Sequence, residues 1–247
     1  MSQSGLHALT GIWFNRLIFM ENREAAVHHS AVETPPGAFK YGIVLGNIAP
    51  DVDFFLLGPV YLWNSDWAIT LHRSWSHSLL LQAAFVFLLF MTWTGRNPVR
   101  RRFVQGLWLG LAMHSLADLL LWFSPVELGW PLGMLGLPSV WDWWGDYVPP
   151  GWFSNFLGAL DYFFAAWFFL LLARTAEHLG VDRPMIQPAR RWARFMAMLF
   201  PFYLVLSWLL AAQPSLFNIL HYAVYILLLL PLEIWLLYRM KETVARI

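Results

Sequence analysis

The sequence predicts an all-α integral membrane protein, a polytopic helical bundle with about five to seven transmembrane helices. Hydrophobic residues make up 59% of the chain and charged residues only 13%, whereas about a quarter of the residues in an average soluble protein are charged. The mean hydropathy is +0.52, and long apolar stretches alternate with short polar segments. We therefore expect residues 1–247 to form a single membrane domain.

Charge and cysteine content exclude several classes of function. The net charge of +1 and the scattering of basic residues over short loops argue against a nucleic-acid partner, because such a partner requires a basic patch. The chain has no cysteine, which excludes disulfides and thiolate metal sites. Membrane lipids are the partners that this composition favours.

The chain has seven apolar stretches, most of which approach the roughly 20 residues that a membrane-spanning helix requires. They are residues 6–19, 41–57, 78–94, 103–123, 156–173, 195–212 and 217–238. The first two are short enough to be tilted, partly buried or re-entrant, and the second is broken at Pro50. Residues 1–130 carry the polar motifs, residues 124–155 form a tryptophan-rich interfacial loop, and residues 156–247 supply the C-terminal transmembrane helices.

Basic residues predict the orientation, because Lys and Arg near the ends of spans accumulate on the cytoplasmic side. Arginines cluster between the third and fourth spans, between the fifth and sixth spans, and after the last span. If the first two stretches also cross, Arg23 and Lys40 lie inside as well, and Arg73 is the only basic residue left outside. Seven crossings, with the N-terminus outside and the C-terminus inside, fit this distribution best.

This topology brings scattered polar residues to one depth, at the outer membrane–water interface. The candidate metal ligands at that depth are His7, Asp51, Asp53, His72, His77, His114, Asp118 and Asp161. A carboxylate left ionised in hydrocarbon costs about 2.5 to 3.5 kcal/mol on insertion scales, and a shared cation removes much of that cost. Histidine and carboxylate ligands without cysteine suit a divalent metal, most of all zinc, with manganese or iron as alternatives.

Local spacing supports the metal site to different degrees. His114 and Asp118 are four residues apart, so a helix places them on one face. Asp51 and Asp53 would point nearly opposite ways on a helix, whereas an extended segment would place both on one side. His72 and His77 are five residues apart, so at least one of them is expected on a turn before its span begins.

Three motifs formed by these residues resemble the YdjM family of membrane-bound metal-dependent hydrolases. They read Gly46-x-x-x-Pro50-Asp51-x-Asp53, His72-Arg73-x-x-x-His77-Ser78 and Gly110-x-x-x-His114-x-x-x-Asp118. The family's middle motif usually reads His-Arg-Gly-x-Thr-His-Ser, so that Ser74 and Ser76 replace a glycine and a threonine here. The resemblance covers about residues 1–130 and implies a protein of the bacterial inner (cytoplasmic) membrane.

The family is itself distantly similar to zinc-dependent phospholipase C. That similarity implies that the following residues of this chain are zinc ligands: His7, one of Asp51 or Asp53, His72 or His77, His114 and Asp118. It also implies hydrolysis by a metal-activated water.

Three residues are candidates for direct catalytic roles. The second aspartate of the Asp51/Asp53 pair is expected to orient a ligand or act as a general base. Arg73, the outer basic residue, is placed to bind a phosphate bidentately. A phosphoester of a lipid or of another interfacial substrate is therefore the expected substrate class.

Two other functional classes remain open at this stage. Intramembrane His and Asp also mark metal or proton pathways, although the fourth and fifth spans are almost wholly apolar below the outer layer. A non-catalytic protein with a structural metal is the other alternative. Asp161 is expected as a ligand or as an acceptor for a histidine, and His221 as a peripheral ligand or an interhelical hydrogen-bond partner.

The loop of residues 124–155 carries five tryptophans and no Lys or Arg. Aromatic residues of this kind favour the head-group layer of a membrane. The loop is therefore expected to be an interfacial anchor or a lid over the metal site.

Overall fold

The structure, a computed structural model, describes residues 4–18, 31–123, 125–145 and 147–247. Of these described residues 83% are helical and none forms a β-sheet strand, which confirms the all-α prediction. The α-helices of these residues are α1 (Ser4–Ile18), α2 (Pro35–Ile48), α3 (Phe54–Trp63), α4 (Ser65–Leu71), α5 (Leu79–Leu89), α6 (Pro98–Leu121), α7 (Gly151–Leu179), α8 (Arg183–Leu209), α9 (Pro214–Val224), α10 (Leu230–Arg239) and α11 (Lys241–Arg246). Arg23, which is predicted to lie on the cytoplasmic side, falls outside the described residues.

Five helical segments among the described residues are long and apolar enough to cross a membrane. They are Pro35–Tyr61, Pro98–Leu121, Gly151–Leu179, Arg183–Leu209 and Pro214–Arg239. A sixth span results if Trp67–Ser76 and Leu79–Thr94, which meet at a bend of 50°, are counted together. The polytopic bundle is thus confirmed. The helix α1 has only 15 residues, so its predicted crossing stays a prediction.

The second span begins at Pro35, earlier than the predicted residue 41, because its first turn is well capped. The Thr34 hydroxyl accepts a hydrogen bond from the Gly37 N–H at 3.2 Å, and Pro35 is pre-organised for the first helical position. At its other end, Ala49–Asp53 forms a 3₁₀ turn. Pro50 lies at the start of that turn, where its missing N–H costs little.

The chain consists of two compact units. The motif unit is Gly11–Val148, and the C-terminal unit consists of residues 4–10 with Pro149–Ile247. The prediction of a single membrane domain stays a prediction.

Four glycines let α2 and α6 approach closely in the motif unit. Gly42 and Gly46 lie one turn apart on α2, and Gly106 and Gly110 face them from α6. A Cβ on Gly110 would meet the carbonyl oxygen of Ile43, and the other three glycines also have the facing backbone against them. Small residues at this spacing permit close packing of membrane helices. The packing fixes the end of α2 beside the middle of α6.

The loop between α6 and α7 folds back onto the start of α5. Val126 and Trp141 exchange two backbone hydrogen bonds of 2.9 Å each, and the Leu79 N–H donates to the Leu128 carbonyl at 2.9 Å. The Ser78 hydroxyl donates to the Trp130 carbonyl at 2.5 Å. Large apolar side chains of the loop, among them Met134, Leu135 and Trp143, remain exposed. The interfacial role of the loop stays a prediction.

The C-terminal unit is built on the pairing of α7 with α8, against which α9 packs. The Asn155 side chain donates to the Leu210 carbonyl at 3.2 Å, and the Tyr203 hydroxyl donates to the Leu220 carbonyl at 3.0 Å. Asp182 accepts hydrogen bonds of 2.8 Å from both the N–H and the hydroxyl of Thr243. These polar contacts tie the connections of the unit to its helices.

Candidate metal centre

His114 and Asp118 lie on one face of α6, as their spacing predicts, and both are buried. His114 Nδ1 is 2.6 Å from the carbonyl oxygen of Asn47. Asn47 lies in the last turn of α2, where backbone carbonyls lack intrahelical donors. The close packing of α2 and α6 therefore orients the ring of His114.

His72 and His77 lie at the two ends of a wide helical turn that joins α4 to α5. Residues His72–Ser76 form a π-helix, and His77 follows at its end. His77 Nδ1 is 2.9 Å from the carbonyl oxygen of His72 and 2.9 Å from the Ser76 hydroxyl. Single π-turns of this kind occur frequently at functional sites. The turn precedes α5, where at least one of the two histidines was expected.

The Nε2 atoms of His77 and His114 are 3.1 Å apart. The Nδ1 atom of each ring lies beside a backbone carbonyl oxygen. A carbonyl oxygen only accepts hydrogen bonds, so each ring can donate its Nδ1–H to the carbonyl beside it. When both Nδ1 atoms are protonated and the rings are neutral, the two Nε2 lone pairs face each other, an arrangement that a shared cation stabilises. Histidines that bind metals commonly donate their other N–H to a carbonyl or carboxylate in this way.

Asp118 completes a three-residue group with the two imidazoles. One carboxylate oxygen, Oδ2, is 3.0 Å from His77 Nε2, and the other accepts a hydrogen bond of 2.9 Å from the Trp122 indole. The ligand atoms of His77, His114 and Asp118 all lie within 4.8 Å of one another. Ligands of a tetrahedral zinc ion are about 3.3 Å apart at the usual bond lengths, so the spacing of the group fits a metal ion.

Asp51 and Asp53 lie on different sides of His72. Asp53 Oδ1 is 2.7 Å from His72 Nδ1, whereas Asp51 Oδ1 is 3.7 Å from His72 Nε2 and 3.6 Å from His114 Nε2. Asp51, His72 and His77 form a second group of ligand atoms within 4.8 Å. The six side chains Asp51, Asp53, His72, His77, His114 and Asp118 are thus brought together in the motif unit. All are buried.

The extended segment considered for Asp51 and Asp53 is not what the structure contains. The residues lie in the 3₁₀ turn after Pro50, in which side chains two positions apart diverge around the axis. The divergence lets the two carboxylates reach opposite nitrogens of the same imidazole. An extended segment would have placed both on one side.

Arg73 follows His72 and is largely buried, with 6% of its surface exposed. Its guanidinium donates to the Pro125 carbonyl at 3.4 Å, and its own carbonyl accepts from the Glu127 N–H at 3.0 Å. Arg73 therefore connects the histidine-bearing turn to the loop after α6. Its role as a phosphate ligand stays a prediction.

His7 and Asp161 belong to the C-terminal unit. His7 is fully buried on α1, and its ligand role stays a prediction. Asp161 Oδ2 on α7 is 3.2 Å from Nε2 of His221 on α9, and neither side chain is exposed. Asp161 therefore lies beside a histidine, and its two predicted roles, as a hydrogen-bond acceptor for a histidine and as a metal ligand, stay predictions.

Polar residues that the sequence analysis did not assign support the centre. The Gln82 amide donates to the Ser76 carbonyl at 2.7 Å and to the Ser115 hydroxyl at 2.8 Å, which links the histidine-bearing turn to α6. Trp122 and Asn47 hold ligand side chains through the contacts given above. The sequence feature that points to Gln82 is its position within an apolar run, since polar groups inside membrane helices are costly unless they are hydrogen-bonded.

Comparison with known proteins decides the family. A family model described as YdjM inner membrane protein matches residues 3–214. The chain belongs to the YdjM inner membrane protein family. Neither the comparison with curated proteins nor the comparison with solved structures gave a match.

The YdjM match bears on several predictions made from the sequence. It continues to residue 214, so the expected limit of the resemblance near residue 130 was too narrow. Family, membrane-spanning helices and a buried His/Asp cluster able to hold a metal are confirmed for this YdjM protein. The similarity to phospholipase C, the bacterial source and the orientation of the chain stay predictions.

Proposed function

We propose that this YdjM protein is a membrane-embedded, metal-dependent hydrolase. The observation that carries the proposal is the meeting of His77 Nε2 and His114 Nε2 at 3.1 Å, with Asp118 beside them and both Nδ1 atoms bound to carbonyls. A carboxylate and two imidazoles aimed at one point in a buried region are a ligand set for a divalent cation. Zinc fits this set best, and manganese and iron are compatible with it.

The ligands divide into the two overlapping groups described above. His77, His114 and Asp118 form the first, and Asp51 and His72 join His77 in the second. A divalent ion bound by such residues lowers the pKa of a coordinated water towards 7 and polarises the oxygen of the bond to be cleaved. The carbonyl of Asn47 keeps the His114 ring in the tautomer that leaves Nε2 for this purpose.

The two aspartates that follow Pro50 take different roles in this proposal. Asp53 binds His72 through Nδ1 and orients its ring, in the manner of the carboxylate–histidine pairs that support metal sites. Asp51 faces the Nε2 atoms of His72 and His114, which suits a metal ligand. Asp53 is therefore a positioning residue.

The proposed substrate is a phosphoester of a lipid or of another molecule at the membrane interface. The site lies on helices that enter the membrane, and Arg73, next to His72, is a guanidinium suited to phosphate. The exposed tryptophans of the loop after α6 are residues that favour the head-group layer. These features support a substrate presented from the membrane.

Metal content tests the centre directly. The protein is purified in detergent without chelators and its metals are measured by elemental mass spectrometry, together with the His114→Ala and His77→Ala variants. We expect one or more equivalents of a divalent metal in the wild type and its loss in both variants. His178→Ala is the matched control, because His178 is exposed near the end of α7. Wild-type protein without metal, which also fails to take up added zinc or manganese, would overturn the proposal.

Hydrolytic activity separates an enzyme from a protein with a structural metal. Metal-loaded protein is incubated with phospholipids and with a chromogenic phosphoester, and released product is measured. We expect activity that a chelator abolishes and that added metal restores. A protein that retains its metal but hydrolyses none of these phosphoesters would favour the structural role, and metal-dependent flux into vesicles would favour a transporter.

A further inference from the structure

A groove in the C-terminal unit runs between α7 and α8 and has no part in the metal centre. It has a volume of about 620 Å³, and most of the residues that line it are apolar. Phe163, Trp167 and Leu170 line it from α7, at the spacing of three and four residues that defines one helix face. Phe163 and Trp167 are each more than 40% exposed, so the groove is open towards the surroundings of the helices.

The facing wall is a single stripe of α8. Ala193, Ala197 and Phe200 follow one another at intervals of three or four residues and line the groove. The alanine side chains are too short to fill the space between the two helices. Phe163 and Phe200 meet with ring centroids 5.5 Å apart, and a cleft remains beside the alanines.

One end of the groove is cationic. Arg190 and Arg194 lie one turn apart on the same stripe of α8 and line the groove. Glu177, on the exposed rim, forms a salt bridge with Arg190, and the Arg194 Nε–H donates to the Arg190 carbonyl at 3.4 Å. Like charges at this spacing destabilise a helix, and an anion bound by both guanidinium groups would relieve that repulsion.

The dimensions of the groove match one leaflet of a bilayer. From Arg190 to Phe200 an α-helix advances about 15 Å at 1.5 Å per residue. The hydrocarbon core of a bilayer is about 30 Å thick, so one leaflet occupies about half of that distance. A lipid whose head group lies at Arg190 would place an acyl chain along the whole groove.

We propose that the groove between α7 and α8 binds an anionic phospholipid of the surrounding bilayer. The acyl chain lies against Phe163, Trp167 and Phe200, and the phosphate is bound by Arg194 together with Arg190. Arg194 contributes more of the phosphate contact, because Glu177 already occupies part of the Arg190 guanidinium. Basic pockets between transmembrane helices bind the head groups of anionic lipids in this way.

Lipid binding by the intact protein in detergent tests the proposal, measured by native mass spectrometry with dioleoyl phosphatidylglycerol and dioleoyl phosphatidylcholine as probes. We expect one preferred phosphatidylglycerol molecule, and about a fivefold loss of its affinity in Arg194→Gln. Arg191→Gln is the matched control, since Arg191 is exposed, carries the same charge and does not line the groove. Arg191→Gln is expected to bind the lipid as the wild type does.

A second pair of variants tests the apolar part of the groove. Ala197→Trp fills the cleft and is expected to reduce phosphatidylglycerol binding severalfold, whereas Met198→Trp places the same side chain on the neighbouring exposed position. Equal binding of phosphatidylcholine, or an equal loss in Arg191→Gln and Arg194→Gln, would overturn the proposal. A dimer that Ala197→Trp dissociates would instead identify the groove as an interface between two copies. Metal content is measured on the same samples, so that loss of the metal can be distinguished from loss of lipid binding.

Discussion

Asp53 and His72 meet at 2.7 Å, and the carboxylate contacts Nδ1 and not Nε2. The contact leaves Nε2 of the ring on the side of Asp51. A buried carboxylate that contacts one ring nitrogen of a histidine fixes the orientation of the ring. Two aspartates that look equivalent in the sequence are therefore expected to behave differently when each is replaced.

Asp53→Asn is expected to weaken metal binding by about 10- to 100-fold, the usual cost of losing an orienting partner. Asp51→Asn is expected to weaken it further, because Asp51 faces the Nε2 atoms of two histidines. Isothermal titration calorimetry, in which zinc is added to the metal-free variants, measures both affinities. Equal affinities in the two variants would contradict the division of roles.

Gly106→Leu is expected to destabilise the protein by about 1–3 kcal/mol, as overpacking of a close contact does. A Cβ at this position would meet the carbonyl oxygen of Phe39 on α2, and a helix backbone cannot move away locally. Thermal unfolding in detergent measures the change. Gln105→Leu introduces the same side chain at the neighbouring exposed position of α6 and is expected to leave the unfolding temperature nearly unchanged. A small effect in Gly106→Leu would show that α2 and α6 tolerate a wider separation.

Asp161 and His221 are expected to be energetically coupled, because both are buried and their side chains meet at 3.2 Å. A double-mutant cycle with Asp161→Asn, His221→Phe and the double variant is expected to give a coupling energy of about 0.5–3 kcal/mol. Unfolding in detergent supplies the free energies. Additive effects would contradict the pairing. The metal content of Asp161→Asn tests separately the ligand role predicted from the sequence.

Cysteine introduced at Asn64 is expected to react with an impermeant thiol reagent in intact cells, whereas cysteine at Asn97 is not. The pair is well matched, because each asparagine is exposed and caps a helix: Asn64 Oδ1 accepts from the Trp67 N–H at 3.0 Å, and Asn97 Oδ1 accepts from the Val99 N–H at 2.9 Å. The chain has no native cysteine to interfere. The reverse labelling would place the metal centre on the cytoplasmic side.

The sequence by itself determined the class of the protein and predicted most members of the His/Asp cluster that could hold a metal. Apolar stretches of bilayer length identified the spanning helices, and the charged fraction of 13% is far below the soluble average of about 25%. His114 and Asp118 were predictable as a pair, since the period of an α-helix alone places residues four apart on one face. Family motifs supplied the remaining histidines and aspartates.

Only the tertiary structure decided how these residues are arranged. The 3₁₀ turn after Pro50 sends Asp51 and Asp53 to opposite nitrogens of His72, and the contact between α2 and α6 gives His114 its carbonyl partner on Asn47. The pairing of Asp161 with His221 depends on the packing of α7 against α9. Residue spacing fixes the faces of a single helix, but the distance between two atoms on different helices is set by how the helices pack, and packing depends on contacts far apart in the chain.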